Sequence, residues 1–154
     1  MDRDSKSIYD LRMNYWRERR HPFTGGIEIT PYCNFHCVHC YLGDHGETKL
    51  LNTAELKQIM DELYEKGVLF LYFTGGEILT RPDFIELYLY AKKKGFIMEL
   101  LTNISLLDEE TANVFDKYPP ANISISIYGA SNETYKRVTG RDNMFDAVMH
   151  SLRV

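Results

Sequence analysis

No apolar run in this sequence approaches the roughly 20 residues that span a bilayer, and Met1-Asp2-Arg3-Asp4 does not open a signal peptide. An excess of positive charge is also missing. The formal net charge is −4, which argues against general nucleic-acid binding. There are no repeats, low-complexity segments or linkers, and glycine, proline and charge are spread evenly, so the 154 residues read as one domain. Cysteine is scarce: three in all, none outside Cys33–Cys40. Three sulfurs cannot pair off into disulfides, which excludes a stapled secreted scaffold and points to a reducing cytoplasm. What remains is ordinary globular material, 44% hydrophobic and 26% charged, enough for a packed core.

The three thiols stand as Cys-x3-Cys-x2-Cys in Cys33-Asn34-Phe35-His36-Cys37-Val38-His39-Cys40. Thiolates this close converge on one metal centre. A structural zinc ion normally takes four protein ligands, and His36 or His39 would supply the fourth. An iron–sulfur cube has four irons, usually held by four cysteines. With three, one iron stays open to a ligand that is not cysteine.

Residues 1–22 read as an N-terminal helical extension. Ile8, Leu11, Tyr15 and Trp16 recur at helical spacing, with Arg12, Arg17, Arg19 and Arg20 between them, and His21-Pro22 ends the run. The basic face suits solvent, or contact with an acidic peptide or an electron donor. Residues 23–154 alternate strand and helix. Gly26–Thr30 reads as a strand that delivers the cysteine loop at its carboxyl end. Asn52 and Glu55 open a helix carrying the apolar stripe Leu56, Ile59, Met60 and Leu63, closed by Gly67. The continuous apolar run Val68–Phe73 suits a strand buried on both faces. Pro82 is expected in the first turn of the next helix, which carries Phe84, Leu87, Tyr88 and Ala91 and ends in Lys92, Lys93, Lys94 and Gly95. Phe96–Leu101 is a third strand. Asp108 caps a helix through Phe115. Ile123–Ile127 alternates serine and isoleucine, placing Ser124 and Ser126 on one polar face. Phe145, Val148, Met149 and Leu152 begin a last helix.

Thr74-Gly75-Gly76-Glu77 follows the second strand. Paired glycines let backbone approach a ligand closely, and a carboxylate beside them can accept from an ammonium group. A three-cysteine loop after the first strand and Gly-Gly-Glu after the second together resemble the radical S-adenosylmethionine (SAM) enzymes, and Tyr128–Gly140 resembles the post-strand segment of their SPASM-type, peptide-maturing branch. The resemblance implies a [4Fe–4S] cluster on Cys33, Cys37 and Cys40, with SAM chelating the fourth iron. An electron from the cluster then cleaves SAM, and the radical formed abstracts a hydrogen from substrate. It implies that Gly75, Gly76 and Glu77 hold the amino group of SAM, that Asn103 lines the pocket and that Ser126 touches the ribose. Arg137, with Arg141 as runner-up, would reach the SAM carboxylate.

Three positions depart from the family pattern: His39 stands where an aromatic is frequent, Ile78 for proline and Ile104 for glycine. The expected fold is α/β, a partial (βα) barrel with a parallel sheet, containing about four of the family's six βα units. The fifth and sixth strands and any auxiliary-cluster cysteines are absent, so a fragment and a short form both fit. The implied partners are a peptide or small-molecule substrate and an electron donor such as flavodoxin or ferredoxin. Haem- and molybdopterin-pathway relatives share these motifs, so cofactor biosynthesis is a rival enzyme reading. A non-catalytic Cys3His zinc domain is the alternative of another class.

Overall fold

The computed structural model describes residues 13–15, 17–18, 20–43 and 50–153. The expected N-terminal extension falls largely outside them; of it, residues 13–15 and 17–18 are helical. Four strands, β1 (Thr24–Thr30), β2 (Phe70–Gly75), β3 (Ile97–Thr102) and β4 (Asn122–Ile125), form one sheet in the order β1-β2-β3-β4. Every neighbouring pair is parallel. Parallel neighbours need a crossover between them. Three helices supply it: α1 (Thr53–Glu65), α2 (Phe84–Lys94) and α3 (Glu109–Lys117). After β4 come α4 (Asn132–Thr139) and α5 (Met144–Ser151). The α/β partial barrel expected from the sequence is present.

Side chains alternate across a strand, so one face of each strand faces the helices. On that face Ile27, Ile29, Leu71, Phe73, Met98 and Leu100 pack with Leu56, Met60, Leu87, Tyr88 and Ala91 in one buried cluster. Each fully buried aliphatic or aromatic side chain contributes roughly 1.5–3 kcal/mol relative to exposure. The other face behaves differently. The apolar run feeding β2 was expected to be buried on both sides, yet Phe70 is exposed and Tyr72 is half-buried. That second face looks into the barrel interior, where this chain places a cavity instead of a second helix layer.

Local signals hold in most places. Asn52 and Glu55 form a reciprocal cap on α1, the Asn52 side chain accepting from the Glu55 N–H at 3.0 Å and the Glu55 carboxylate from the Asn52 N–H at 2.7 Å. Asp108 caps α3 by accepting from the Thr111 N–H at 2.8 Å. Pro82 is a correction: it precedes α2, which starts at Phe84. Asp83 stands at the cap position but makes no side-chain cap. Its carboxylate is already taken, doubly by Arg81 (2.7 and 2.8 Å) and by the Thr53 hydroxyl at 2.6 Å. Arg81 also donates to the Ile29 carbonyl at 2.7 Å, so this pair ties the end of β1 to the starts of α1 and α2.

The Arg81 guanidinium holds the Asp83 carboxyl down at about 2, below its ordinary 3.8. A depressed acid stabilises the fold above its unfolded value and loses that contribution as pH falls through the folded one. Asp83→Asn is therefore expected to lower neutral-pH stability by about 1–2 kcal/mol, after allowance for solvent screening. The gap to wild type should close between pH 3.8 and about 2, read from denaturant unfolding at a series of pH values.

Candidate functional site

Parallel strands all end at the same edge of the sheet, where α/β barrels keep their chemistry. Here that edge opens into a cavity of about 350 Å³. After β1 its wall is Cys33, Phe35, Cys37, His39 and Cys40; after β2, Gly75 and Gly76; after β3, Asn103; and at β4, Ser124, Ser126 and Tyr128. The volume falls within the range of small-molecule sites.

The cysteine loop has no regular secondary structure, so other elements must hold it. Its start is bound to the end of β2: the Gly76 N–H donates to the Thr30 carbonyl at 2.8 Å and the Glu77 N–H to the Tyr32 carbonyl at 2.7 Å. Its middle is stitched to the end of α4, His36 N–H to the Thr139 carbonyl (2.8 Å) and Val38 N–H to the Val138 carbonyl (2.9 Å). Phe35 is buried and anchors the turn. The three thiols are free. Cys33 and Cys37 are half-buried and Cys40 is exposed. Burial pushes the Cys33 thiol up, and the nearby Glu77, Cys37 and Cys40 add to this against the Phe35 N–H. Burial likewise raises Cys37, partly offset by the Tyr128 hydroxyl. Such thiols resist ionising alone and give up their protons when a metal cation meets them. Among the described residues, no three His, Cys, Asp or Glu side chains gather closely enough to hold one metal ion.

The paired glycines answer to the chain itself. A Cβ on Gly75 would sit 2.1 Å from the Thr30 carbonyl oxygen, and one on Gly76 would sit 2.2 Å from that of Tyr32. Gly75 also has φ +151°, which side-chain-bearing residues rarely adopt. The backbone that approaches these glycines is the root of the cysteine loop, while their other side faces the cavity.

The Glu77 side chain is fully buried and does not line the cavity. The carboxylate accepts from the Leu79 N–H (3.0 Å), the Thr102 hydroxyl (2.6 Å) and the Asn103 N–H (2.6 Å). It ties the end of β2 to the end of β3. Burial pushes it above the ordinary carboxylate value, against the pull of those three donors.

Asn103 lies where a pocket residue was expected, 5% exposed, on the cavity wall. Ser126 is also on the wall, exposed, its N–H donating to the Thr102 carbonyl at 3.3 Å, although β4 already ends at Ile125. Arg137 is exposed and off the wall, because the helical period turns Tyr135 and Thr139 inward and Arg137 outward. The runner-up, Arg141, braces the cysteine loop from outside, its Nε donating to the Asn34 carbonyl at 3.0 Å and its Nη2 lying 3.1 Å from His36 Nε2. His36 is exposed and off the cavity wall, whereas His39 lines the cavity with its ring 5.3 Å from that of Tyr128.

Tyr128 was missed. Its hydroxyl is pushed up to about 12, mainly by burial, with the Ser126 side chain pulling it down and the Cys37 side chain pushing it up. The signal was there: Tyr128 stands two residues after Ser126, on the same side of an extended chain. Asn34 was missed because an asparagine between loop residues carries no distinctive pattern.

A model of the radical SAM superfamily matches residues 27–154. An AdoMet-dependent heme synthase of Methanosarcina barkeri is 33% identical over 129 residues, which is 82% of this chain and 37% of that protein. The antilisterial bacteriocin subtilosin biosynthesis protein AlbA of Bacillus subtilis is 30% identical over 135 residues, 86% of this chain and 30% of that one. Among solved structures, Streptococcus suis SuiB bound to the precursor peptide SuiA superposes with a TM-score of 0.74 at 16% identity, over 98% of this chain and 36% of that one. The same enzyme bound to S-adenosylmethionine gives 0.70. The chain thus spans about a third of the length of these proteins. With the sheet, the cysteine loop and the glycine pair arranged as above, the match over residues 27–154 shows that this chain belongs to the radical SAM superfamily.

Proposed function

We propose that this chain is the cluster- and SAM-binding part of an enzyme that abstracts hydrogen from a peptide or protein substrate in the cytoplasm. The carrying observation is that Cys33, Cys37 and Cys40 share one cavity wall with Gly75 and Gly76 at the carboxyl edge of a parallel sheet. The donor set fits a cube better than a single ion. A cube gives each of three thiolates its own iron and leaves one iron open, whereas a structural zinc site normally takes four protein ligands. When bound, the cluster would supply the electron that cleaves SAM.

The chain's own residues do the rest. Cys33, Cys37 and Cys40 would hold three irons and leave the fourth open toward the cavity. Gly75 and Gly76 offer bare backbone to SAM, Asn103 and Ser126 offer polar groups beside it, and His39 and Tyr128 offer flat rings for an adenine. Glu77 acts from behind, fixing the strand ends that carry these groups. A small electron-transfer protein such as flavodoxin or ferredoxin would feed the site. A peptide substrate is favoured by the likeness to AlbA and to the SuiB fold. The heme synthase supports a second reading, a cofactor precursor.

Anaerobic reconstitution with iron and sulfide tests this. The expected result is a brown protein holding about four irons per chain, whose visible spectrum changes when SAM is added. Replacing any of Cys33, Cys37 or Cys40 by Ala should remove most of that iron. A colourless protein that takes one zinc instead would end the proposal.

A further inference from the structure

Asn34, Ser105 and Asn103 close a ring of hydrogen bonds beside Cys33. The Ser105 N–H donates to Asn103 Oδ1 at 3.0 Å, and the Ser105 hydroxyl donates to the same oxygen at 2.7 Å. Asn34 Nδ2 donates to the Ser105 hydroxyl oxygen at 2.8 Å, and Asn103 Nδ2 donates to Asn34 Oδ1 at 2.9 Å. The ring fixes which end of the Asn103 carboxamide is which. A backbone N–H can only donate, so the atom facing Ser105 must be oxygen, and the NH₂ group must face the cysteine loop. Its nitrogen lies 3.8 Å from the Cys33 sulfur. The Phe35 N–H reaches the same sulfur at 3.4 Å.

Asn103 cannot drift from this position. It is 5% exposed, and its own N–H is held by the Glu77 carboxylate at 2.6 Å. Glu77 from the end of β2, Asn103 from the end of β3 and Cys33 after β1 are therefore linked in series, three strand ends meeting at one sulfur. Donors aimed at a cluster thiolate stabilise the reduced, more negative state and so raise its reduction potential.

We propose that Asn103 is a positioning residue for the Cys33 ligand, its carboxamide donating to that sulfur and making the bound cluster easier to reduce. This rests on the cluster assignment above and goes beyond it, since it gives Asn103 a role toward the sulfur as well as toward SAM.

The test uses the whole chain, reconstituted anaerobically, as wild type, Asn103→Ala and Asn103→Asp. Iron content, the cluster midpoint potential by spectroscopic redox titration, and the thermal unfolding midpoint are measured for each. Asp keeps the shape and the oxygen that accepts from Ser105 while losing the donor, so it remains informative if the Ala variant folds poorly. Both variants are expected to bind iron as wild type does and to reduce at more negative potentials, Asp further than Ala because it places an anion near the sulfur. Iron-loaded variants whose potentials match wild type would overturn the role. So would loss of the cluster from both variants together with a drop in melting midpoint, which marks Asn103 as scaffold alone. If wild type itself takes up no cluster, the functional reading fails and this proposal falls with it.

Discussion

Gly76→Ala should destroy the site. The added Cβ would lie 2.2 Å from the Tyr32 carbonyl oxygen and 2.6 Å from that of Pro31. Both contacts are with backbone, which cannot swing aside as the tip of a side chain can. The chain would have to part where the Gly76 and Glu77 N–H groups hold the root of the cysteine loop at 2.8 and 2.7 Å. Relief would therefore break at least one of those bonds and unseat Cys33. A loss above about 3 kcal/mol is expected, in the range reserved for overpacking and broken buried networks. Thermal unfolding should shift down by roughly 6 °C or more at this chain length, and reconstituted iron should fall with it. Normal iron uptake by Gly76→Ala would show that the loop can seat without this contact.

Glu77→Ala has the second largest expected effect. It removes the acceptor for three donors at once, the Leu79 N–H, the Thr102 hydroxyl and the Asn103 N–H, in a position with no exposed surface. Each unpaired buried donor costs about 1–3 kcal/mol, so a total of roughly 3–5 kcal/mol is expected even if partial relaxation recovers some of it. SAM affinity of the reconstituted protein should fall as well, because Gly75, Gly76 and Asn103 lose their common brace. The pH dependence follows from the direction of the shift. A buried acid whose folded value is raised stabilises the fold below its ordinary 4.5, and this contribution is lost as pH rises through the folded value. The stability gap between wild type and Glu77→Ala is thus widest in acid and narrows above it. A gap that grows with pH would mean that the carboxylate is stabilised, not penalised, by its surroundings.

Ile104 shows how the same site carries strain. Where the family frequently has glycine, this β-branched residue keeps a left-handed φ of +60°. That conformation costs about 1–2 kcal/mol for a residue with a Cβ. Two features offset it: the Ile104 N–H donates to the Thr102 hydroxyl oxygen at 2.8 Å, and the side chain is buried with Tyr135 and Val148. The turn that presents Asn103 to the cysteine loop is therefore held by a second small core beneath it.

The sequence by itself determined the alternation of strand and helix, the parallel sheet this alternation demands, the caps at Asn52 and Asp108, and the delivery of three cysteines and two glycines to one edge. These are local matters: hydrophobic period, cap chemistry and the order of elements leave their marks within a few residues. Only the tertiary structure decided which way Glu77, Arg137 and Arg141 point, which face of β2 stays open, and that Asn103 meets the Cys33 sulfur. Glu77 turns inward because Thr102 and Asn103 await it 25 and 26 residues further on, and Arg141 is drawn in by an asparagine carbonyl 107 residues back. No local pattern records such partners, since a side chain's direction is set by what the completed sheet brings beside it.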